Sequence, residues 1–164
     1  MKSEFRYWAY FLAFYALLFT LLLLLCFLGI VVYNNIMPAY FYYIITLAVI
    51  CVWIWVVFGE LRTKLVRVEI GYNSVIAKRY LGWGTSKTFY FDQIDGFKTA
   101  ILPASGISYE YLYLMAGKKK IIKLSQFYHK NYLDLKQMII SEKFKDLGRE
   151  DYSSIKEIKE IFIQ

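Results

Sequence analysis

Charge is missing from a third of the chain. No Lys, Arg, Asp or Glu occurs between Arg6 and Glu60, a gap of 53 residues in a protein of 164. That gap excludes an ordinary soluble domain. Cysteine is scarce too: the chain has only Cys26 and Cys51, both inside the gap among Leu25, Phe27, Val52 and Trp53, where each reads as a small apolar residue. A bridge between them would need Cα atoms within about 7 Å. Their unequal distances from the intervening turn set them at different depths, so the sequence shows no sign of a disulfide scaffold. Histidine occurs once, as His129, and without a cysteine outside the gap a zinc site of the usual ligands cannot be assembled. His129 lies in the polar run Ser125-Gln126-Phe127-Tyr128-His129-Lys130-Asn131 and is expected on the solvated surface.

Catalytic patterns are missing as well. The stretch Gly82-Trp83-Gly84-Thr85-Ser86-Lys87 lacks the spacing of a phosphate-binding loop, and nothing near His129 resembles a nucleophile elbow. Asp92 and Asp95 could be drawn as a general acid/base pair, but turn-forming carboxylates bonding to nearby backbone N–H groups are the simpler reading. The expectation is therefore a non-enzymatic protein with no catalytic residues, no metal and no cofactor.

What fills the gap is apolar. Tyr7 to Tyr33 is continuously apolar or aromatic except for Thr20, and Leu17 to Val32 holds 13 Leu, Ile, Phe or Val residues. At about −0.3 to −0.6 kcal/mol each, their sum of about −4 to −8 kcal/mol favours insertion as a helix. A cleaved signal peptide competes, because Lys2 and Arg6 resemble its basic head. However, the apolar run is about twice the usual length and no small-x-small site closes it. Asn34-Asn35-Ile36-Met37-Pro38 then makes a turn, and a second span follows, long enough to cross a core of about 30 Å. The expected hairpin occupies residues 7–59, with spans at 8–33 and 39–58 behind a cytoplasmic N-terminus of residues 1–6. Lys2 and Arg6 precede the first span and Arg62, Lys64 and Arg67 follow the second, which places both termini in the cytoplasm of a multi-pass protein of the cell membrane. Tyr7, Trp8, Tyr10, Trp53 and Trp55 form an inner aromatic belt, and Tyr33, Tyr40, Tyr42 and Tyr43 an outer one. No charged or carboxamide side chain lies within either span, so anchoring rather than transport is the expected role.

From Glu60 the hydrophobic period changes to alternation. Val66, Val68 and Ile70 share one face of a strand, Gly71-Tyr72-Asn73-Ser74 turns the chain, and Val75–Leu81 returns. Strands around Thr88–Phe91 and Ile94–Leu102 follow. After the loop Pro103-Ala104-Ser105-Gly106 comes a hairpin of Tyr109–Met115 and Lys119–Leu124 around Ala116-Gly117-Lys118. In it Leu112 and Leu114 are expected to face the core and Tyr111 and Tyr113 to face solvent. A helix begins after Asn131, with Tyr132, Leu135, Ile139 and Phe144 along one side, and Leu147-Gly148 reads as its stop. A short amphipathic helix is expected within residues 149–164, where Ser154 and Glu157 have capping-box spacing. The fold class is a membrane α-hairpin plus an α+β domain over residues 60–148.

That element order, together with Phe89-Tyr90-Phe91-Asp92-Gln93-Ile94-Asp95-Gly96-Phe97 and the Tyr111–Leu124 hairpin leading into the helix, resembles a bacterial pleckstrin-homology-like (PH-like) domain across residues 62–147. The resemblance implies a bent antiparallel sheet or partial barrel of six or seven strands capped by a C-terminal helix, used as a binding platform. The Gly71–Ser74 turn has only Arg67, Lys78 and Arg79 on its flanks, which departs from the several basic residues that inositol-phosphate recognition uses there.

Residues 60–149 carry 16 basic and 8 acidic side chains, and the last 15 residues carry two and four. Lys118, Lys119, Lys120 and Lys123 cluster at one hairpin, and Lys78, Arg79 and Lys87 lie near Trp83. These residues, with Trp83, are the candidate contacts to a membrane surface or partner. About six residues separate the second span from the first strand, holding the domain within about 20 Å of the bilayer, where each basic residue contributes about 1 kcal/mol against an anionic leaflet. The simplest reading leaves the lysine-rich tip solvated and packs Trp83, Ile101, Leu102 and Ile107 into the core. If exposed, the apolar residues would form a patch that dips into the membrane or binds a partner. The expected partners are the lipid bilayer, with weak anionic-lipid contact, and another membrane or cytoplasmic protein. Nucleic acid is not expected. A second reading is a small accessory subunit of a larger membrane complex, for transport, secretion or envelope assembly, packing through its spans.

Overall fold

The computed structural model describes residues 1–32, 39–104, 107–142 and 144–153. The turn expected at residues 34–38, the tip of the loop at 105–106 and the closing helix expected from residue 155 lie outside the described residues. Helix α1 spans Tyr7–Val32 and α2 spans Ala39–Ile54. Both are long and apolar enough to cross a membrane, α2 together with the turns that follow it, and only 6% and 17% of their most apolar stretches are buried within the protein. Side chains such as Leu17, Leu21, Leu24 and Ile44 point outward. Ala9 and Ala16 of α1 are buried in a cluster with Val56 and Leu61, just beyond α2, where small side chains let backbones approach. Trp53 Nε1 donates to Thr20 Oγ1 at 2.9 Å, tying the two helices together.

The helical winding of the second segment runs on past residue 58. It continues as a π-helical turn, Trp55–Leu61, in which Arg62 N–H donates to the Val57 carbonyl five residues back at 3.1 Å. Thr63 Oγ1 donates to the Gly59 carbonyl. This extra wound turn brings Leu61 and Leu65 into a buried cluster with Phe5, Ala9, Ala16, Val56 and Leu81. The short tether is therefore packed core, with no slack between hairpin and domain.

Among the described residues seven strands follow: β1 (Arg67–Ile70), β2 (Ser74–Lys78), β3 (Ser86–Tyr90), β4 (Gly96–Ala104), β5 (Ile107–Ala116), β6 (Lys119–Ser125) and β7 (Asp146–Glu150), with helix α3 (Tyr132–Ser141) before the last. They form two sheets, ordered β1-β2-β3 and β6-β5-β4-β7, in an α+β arrangement in which the described residues close no barrel. The expected hairpins are present: Val68 pairs with Ala77 and Leu112 with Leu124. Gly117, at φ 59°, permits the two-residue turn between β5 and β6. The main core gathers Val68, Ile70 and Val75 from one sheet, Phe97, Leu112, Leu114 and Leu124 from the other, and Tyr132, Leu135 and Ile139 from α3.

Two sequence expectations about this region fail. Leu147-Gly148 does not simply stop the helix but sits in β7, which runs parallel to β4. Gly96 makes that approach possible, because a Cβ there would lie 2.1 Å from the Lys145 carbonyl oxygen. The tyrosines of β5 are not solvent-facing either: Tyr111 and Tyr113 are 2% and 3% exposed. They pack with Ala100, Met115, Leu147 and Tyr152 in a cluster of their own, so β5 is buried on both faces. Alternation of Leu and Tyr could not show this, since Tyr suits a buried second layer as well as a wet one.

Candidate membrane-facing surface

The first six residues are part of the domain. Ser3 N–H donates to the Val68 carbonyl at 2.7 Å and Val68 N–H donates to Ser3 Oγ at 2.8 Å, extending the β1 edge. On the other side, Lys130 N–H donates to the Glu4 carbonyl and Arg6 N–H to the Tyr128 carbonyl, both at 2.8 Å. Asn131 occupies the N-cap position of α3 as expected, but its side chain makes no capping bond; it accepts Glu4 N–H at 2.8 Å and donates to the Lys2 carbonyl at 2.9 Å. This strap therefore bridges β1 and the segment between β6 and α3 before α1 begins. Lys2 forms an ion pair with Glu69 at 2.7 Å, and the hydrogen bond from Lys2 holds the Glu69 carboxyl below its usual range.

His129 is fully buried, contrary to its polar neighbourhood. Its Nε2 lies 3.0 Å from the Val66 carbonyl, its Nδ1 3.0 Å from the Ser125 carbonyl, and its ring 5.0 Å from that of Phe5. Burial pushes its pKa down. Nearby, the Glu60 carboxylate accepts from Lys64 at 2.6 Å and from the Tyr128 hydroxyl at 2.8 Å, linking the π-helical turn to the segment before α3. The residues 62–66, 79–84, 125–131 and 4–6 thus form the end of the domain nearest the helices.

Trp83 sits at this end. Tyr80, Leu81 and Gly82 have φ of 52°, 59° and 98°. Two consecutive non-glycine residues in the left-handed region are costly and persist only where their surroundings hold them. Leu81 N–H donates to the Leu65 carbonyl at 2.8 Å, and the N–H groups of Gly82 and Gly84 both donate to the Arg79 carbonyl at 3.0 Å. Leu81 is buried in the cluster shared with the helices. Trp83, two residues on, is 92% exposed, which corrects the expectation that it packs in the core. Arg79 is partly buried beside Arg62. Desolvation first, and that neighbouring charge second, lower its pKa. Lys78 and Lys87 flank the loop on β2 and β3, Lys87 exposed and Lys78 half-buried.

The candidate lysines of the other hairpin are elsewhere. Ser125 of β6 is at the helix-proximal end, and β6 runs away from it for seven residues, so Lys118 and Lys119 lie about 20 Å farther out. They are exposed there. Lys120 and Lys123 do not join them in solvent: Lys120 pairs with Glu150 and lies 3.9 Å from the Tyr113 ring centroid, while Lys123, 5% exposed, lies 4.4 Å from that of Tyr111. The tyrosine layer draws these two ammonium groups inward as cation–π partners. The eight candidates therefore divide into Lys78, Arg79, Trp83 and Lys87 near the helices, Lys118 and Lys119 at a distal tip, and two partly or fully buried lysines.

Sequence reading passed over the strap, although Lys2-Ser3-Glu4-Phe5-Arg6 alternates strictly, with Ser3 and Phe5 buried and the charged residues exposed. Asp95 does not bond within its own turn as expected: its carboxylate accepts from Gly117 N–H, 22 residues on in the β5–β6 turn. Among the described residues no three His, Cys, Asp or Glu side chains converge as a metal site. Compared with protein-family models, curated proteins and solved structures, the chain matches none of them.

Proposed function

We propose that this chain is a non-enzymatic, hairpin-anchored protein of the cytoplasmic membrane, with both termini in the cytoplasm. In this reading its domain rests directly on the inner leaflet and offers its distal face to a partner protein. The observation that carries the proposal is Trp83, 92% exposed on a loop whose Leu81 is buried against Ala9, Val56 and Leu61 of the hairpin. An exposed indole so close to two membrane-length helices is suited to the interfacial zone, where Trp is favoured. Arg62, Arg79 and Lys87 around it would each add about 1 kcal/mol of attraction to anionic lipid. The outward face, with the fully exposed Tyr72 and the Lys118–Lys119 tip, is then left for protein contact. The PH-like reading is supported by two antiparallel meanders, β1-β2-β3 and β4-β5-β6, followed by α3. The parallel strand β7 departs from the all-antiparallel sheet that the resemblance implies.

The test uses the full chain with Trp8, Trp53 and Trp55 changed to Phe, reconstituted in vesicles with bromine on the upper acyl carbons. Strong quenching of Trp83 fluorescence is expected. Emission and quenching like those of an indole in water would reject the proposal.

A further inference from the structure

Beside the start of α1, the strap, β1 and the segment before α3 enclose an open groove of about 420 Å³, lined by Lys2, Glu4, Phe5, Tyr10, Arg67 and Lys130. That volume is within the range of small-ligand sites. Its lining is cationic, with three basic side chains against one carboxylate. Lys2 is already engaged by Glu69 at 2.7 Å, whereas Lys130 is held only loosely by Glu4 at 3.9 Å, and the last two side chains are mostly exposed. Arg67 supplies a second, independent sign. Its Nε is buried and makes no hydrogen bond, while its guanidinium carbon lies 5.8 Å from the Phe5 ring centroid. A buried N–H without an acceptor is costly, and an acceptor from outside the chain would satisfy it. Position supplies a third sign, because Tyr10 belongs to the same helical turns as the interfacial aromatics Tyr7 and Trp8.

We propose that this groove binds the phosphate of an anionic phospholipid entering sideways from the leaflet. A small rotation of the half-buried Arg67 side chain turns its planar fork to the phosphate oxygens, geometry for which guanidinium is suited. Lys130 leaves Glu4 to add a second contact, Lys2 supports from the strap, and Tyr10 lies along the glycerol end. Glu4 opposes binding and sets a limit on affinity. The inference rests on the reading that α1 and α2 cross a bilayer, but not on the depth of Trp83.

The experiment uses the full chain, stripped of lipid in dodecyl maltoside and titrated by native mass spectrometry with dihexanoyl phosphatidylglycerol, dihexanoyl phosphatidylcholine or inorganic phosphate. Saturable, preferential binding of phosphatidylglycerol is expected. Lys130→Gln and Arg67→Gln should each weaken it by about 10-fold, and Glu4→Gln should tighten it. Lys130 and Glu4 are exposed, so their variants remain informative if Arg67→Gln fails to fold. Equal binding of phosphatidylcholine, or unchanged affinity in Lys130→Gln and Glu4→Gln, would overturn the proposal. Inorganic phosphate binding as tightly as the lipid would overturn the lipid assignment. Because micelles replace the bilayer, this result is separable from the Trp83 measurement.

Discussion

Replacing Phe5 by Ala tests whether the strap holds the domain to the hairpin. Phe5 is 8% exposed and packs with Leu65, Leu81 and Ala9, and its ring meets His129 at 5.0 Å. A buried Phe→Ala change costs about 3–5 kcal/mol where the surroundings cannot relax. The strap is held on only two sides, so part of the cavity collapses and a loss of about 2–4 kcal/mol is expected. For a domain of this size, 1 kcal/mol corresponds to about 4–8 °C, so the melting temperature should fall by about 8–32 °C. Thermal unfolding in detergent, followed by the β-sheet signal, measures this. Hydrogen exchange at the Val68 amide, whose acceptor is Ser3 Oγ at 2.8 Å, locates it. A loss below about 1 kcal/mol, with Val68 protection unchanged, would show that residues 1–6 are a loose tail and refute the reasoning.

Three further outcomes follow from the same geometry. Burial lowers the His129 pKa below its ordinary value of 6.5, so between those two values the unfolded chain binds a proton that the folded chain refuses. Stability is therefore full above pH 6.5 and declines as pH falls towards the folded value, and denaturant midpoints should show a slope that His129→Gln abolishes. Gly96→Ala places a Cβ 2.1 Å from the Lys145 carbonyl, and loss of β7 pairing should cost about 2 kcal/mol or more in urea unfolding. Trp83→Ala, removing a side chain that is 92% exposed, should leave stability within about 0.5 kcal/mol in the same assay.

The two long apolar helices were legible because a long uncharged run is something a sequence displays directly. The β1-β2 and β5-β6 hairpins were legible for a similar reason: their period and turn residues are local. What the sequence hid depends on contacts distant along the chain. His129 reads as polar surface beside Lys130 and Asn131, yet carbonyls of Val66 and Ser125 and the ring of Phe5 enclose it. Lys123 belongs to a basic cluster in sequence and to a tyrosine layer in space. β7 has too few apolar residues to announce itself and forms because Gly96 lets the Lys145 carbonyl approach. Of the candidate contacts, Trp83 was expected in the core, and neither its exposure nor its placement beside the helices, which depends on the burial of Leu81, could be read from its flanking glycines.

The central claim is that the domain is mounted on the bilayer with the Trp83 loop down and the β5-β6 tip up. In a Cys26→Ala, Cys51→Ala background, nitroxide labels on Trp83→Cys and Lys118→Cys in phosphatidylglycerol-containing nanodiscs would report depth by relaxation with oxygen against a water-soluble nickel chelate. The account predicts a label at 83 shielded from nickel at headgroup depth and a label at 118 fully open to it. Equal nickel access at both positions, or the reverse order, would contradict it.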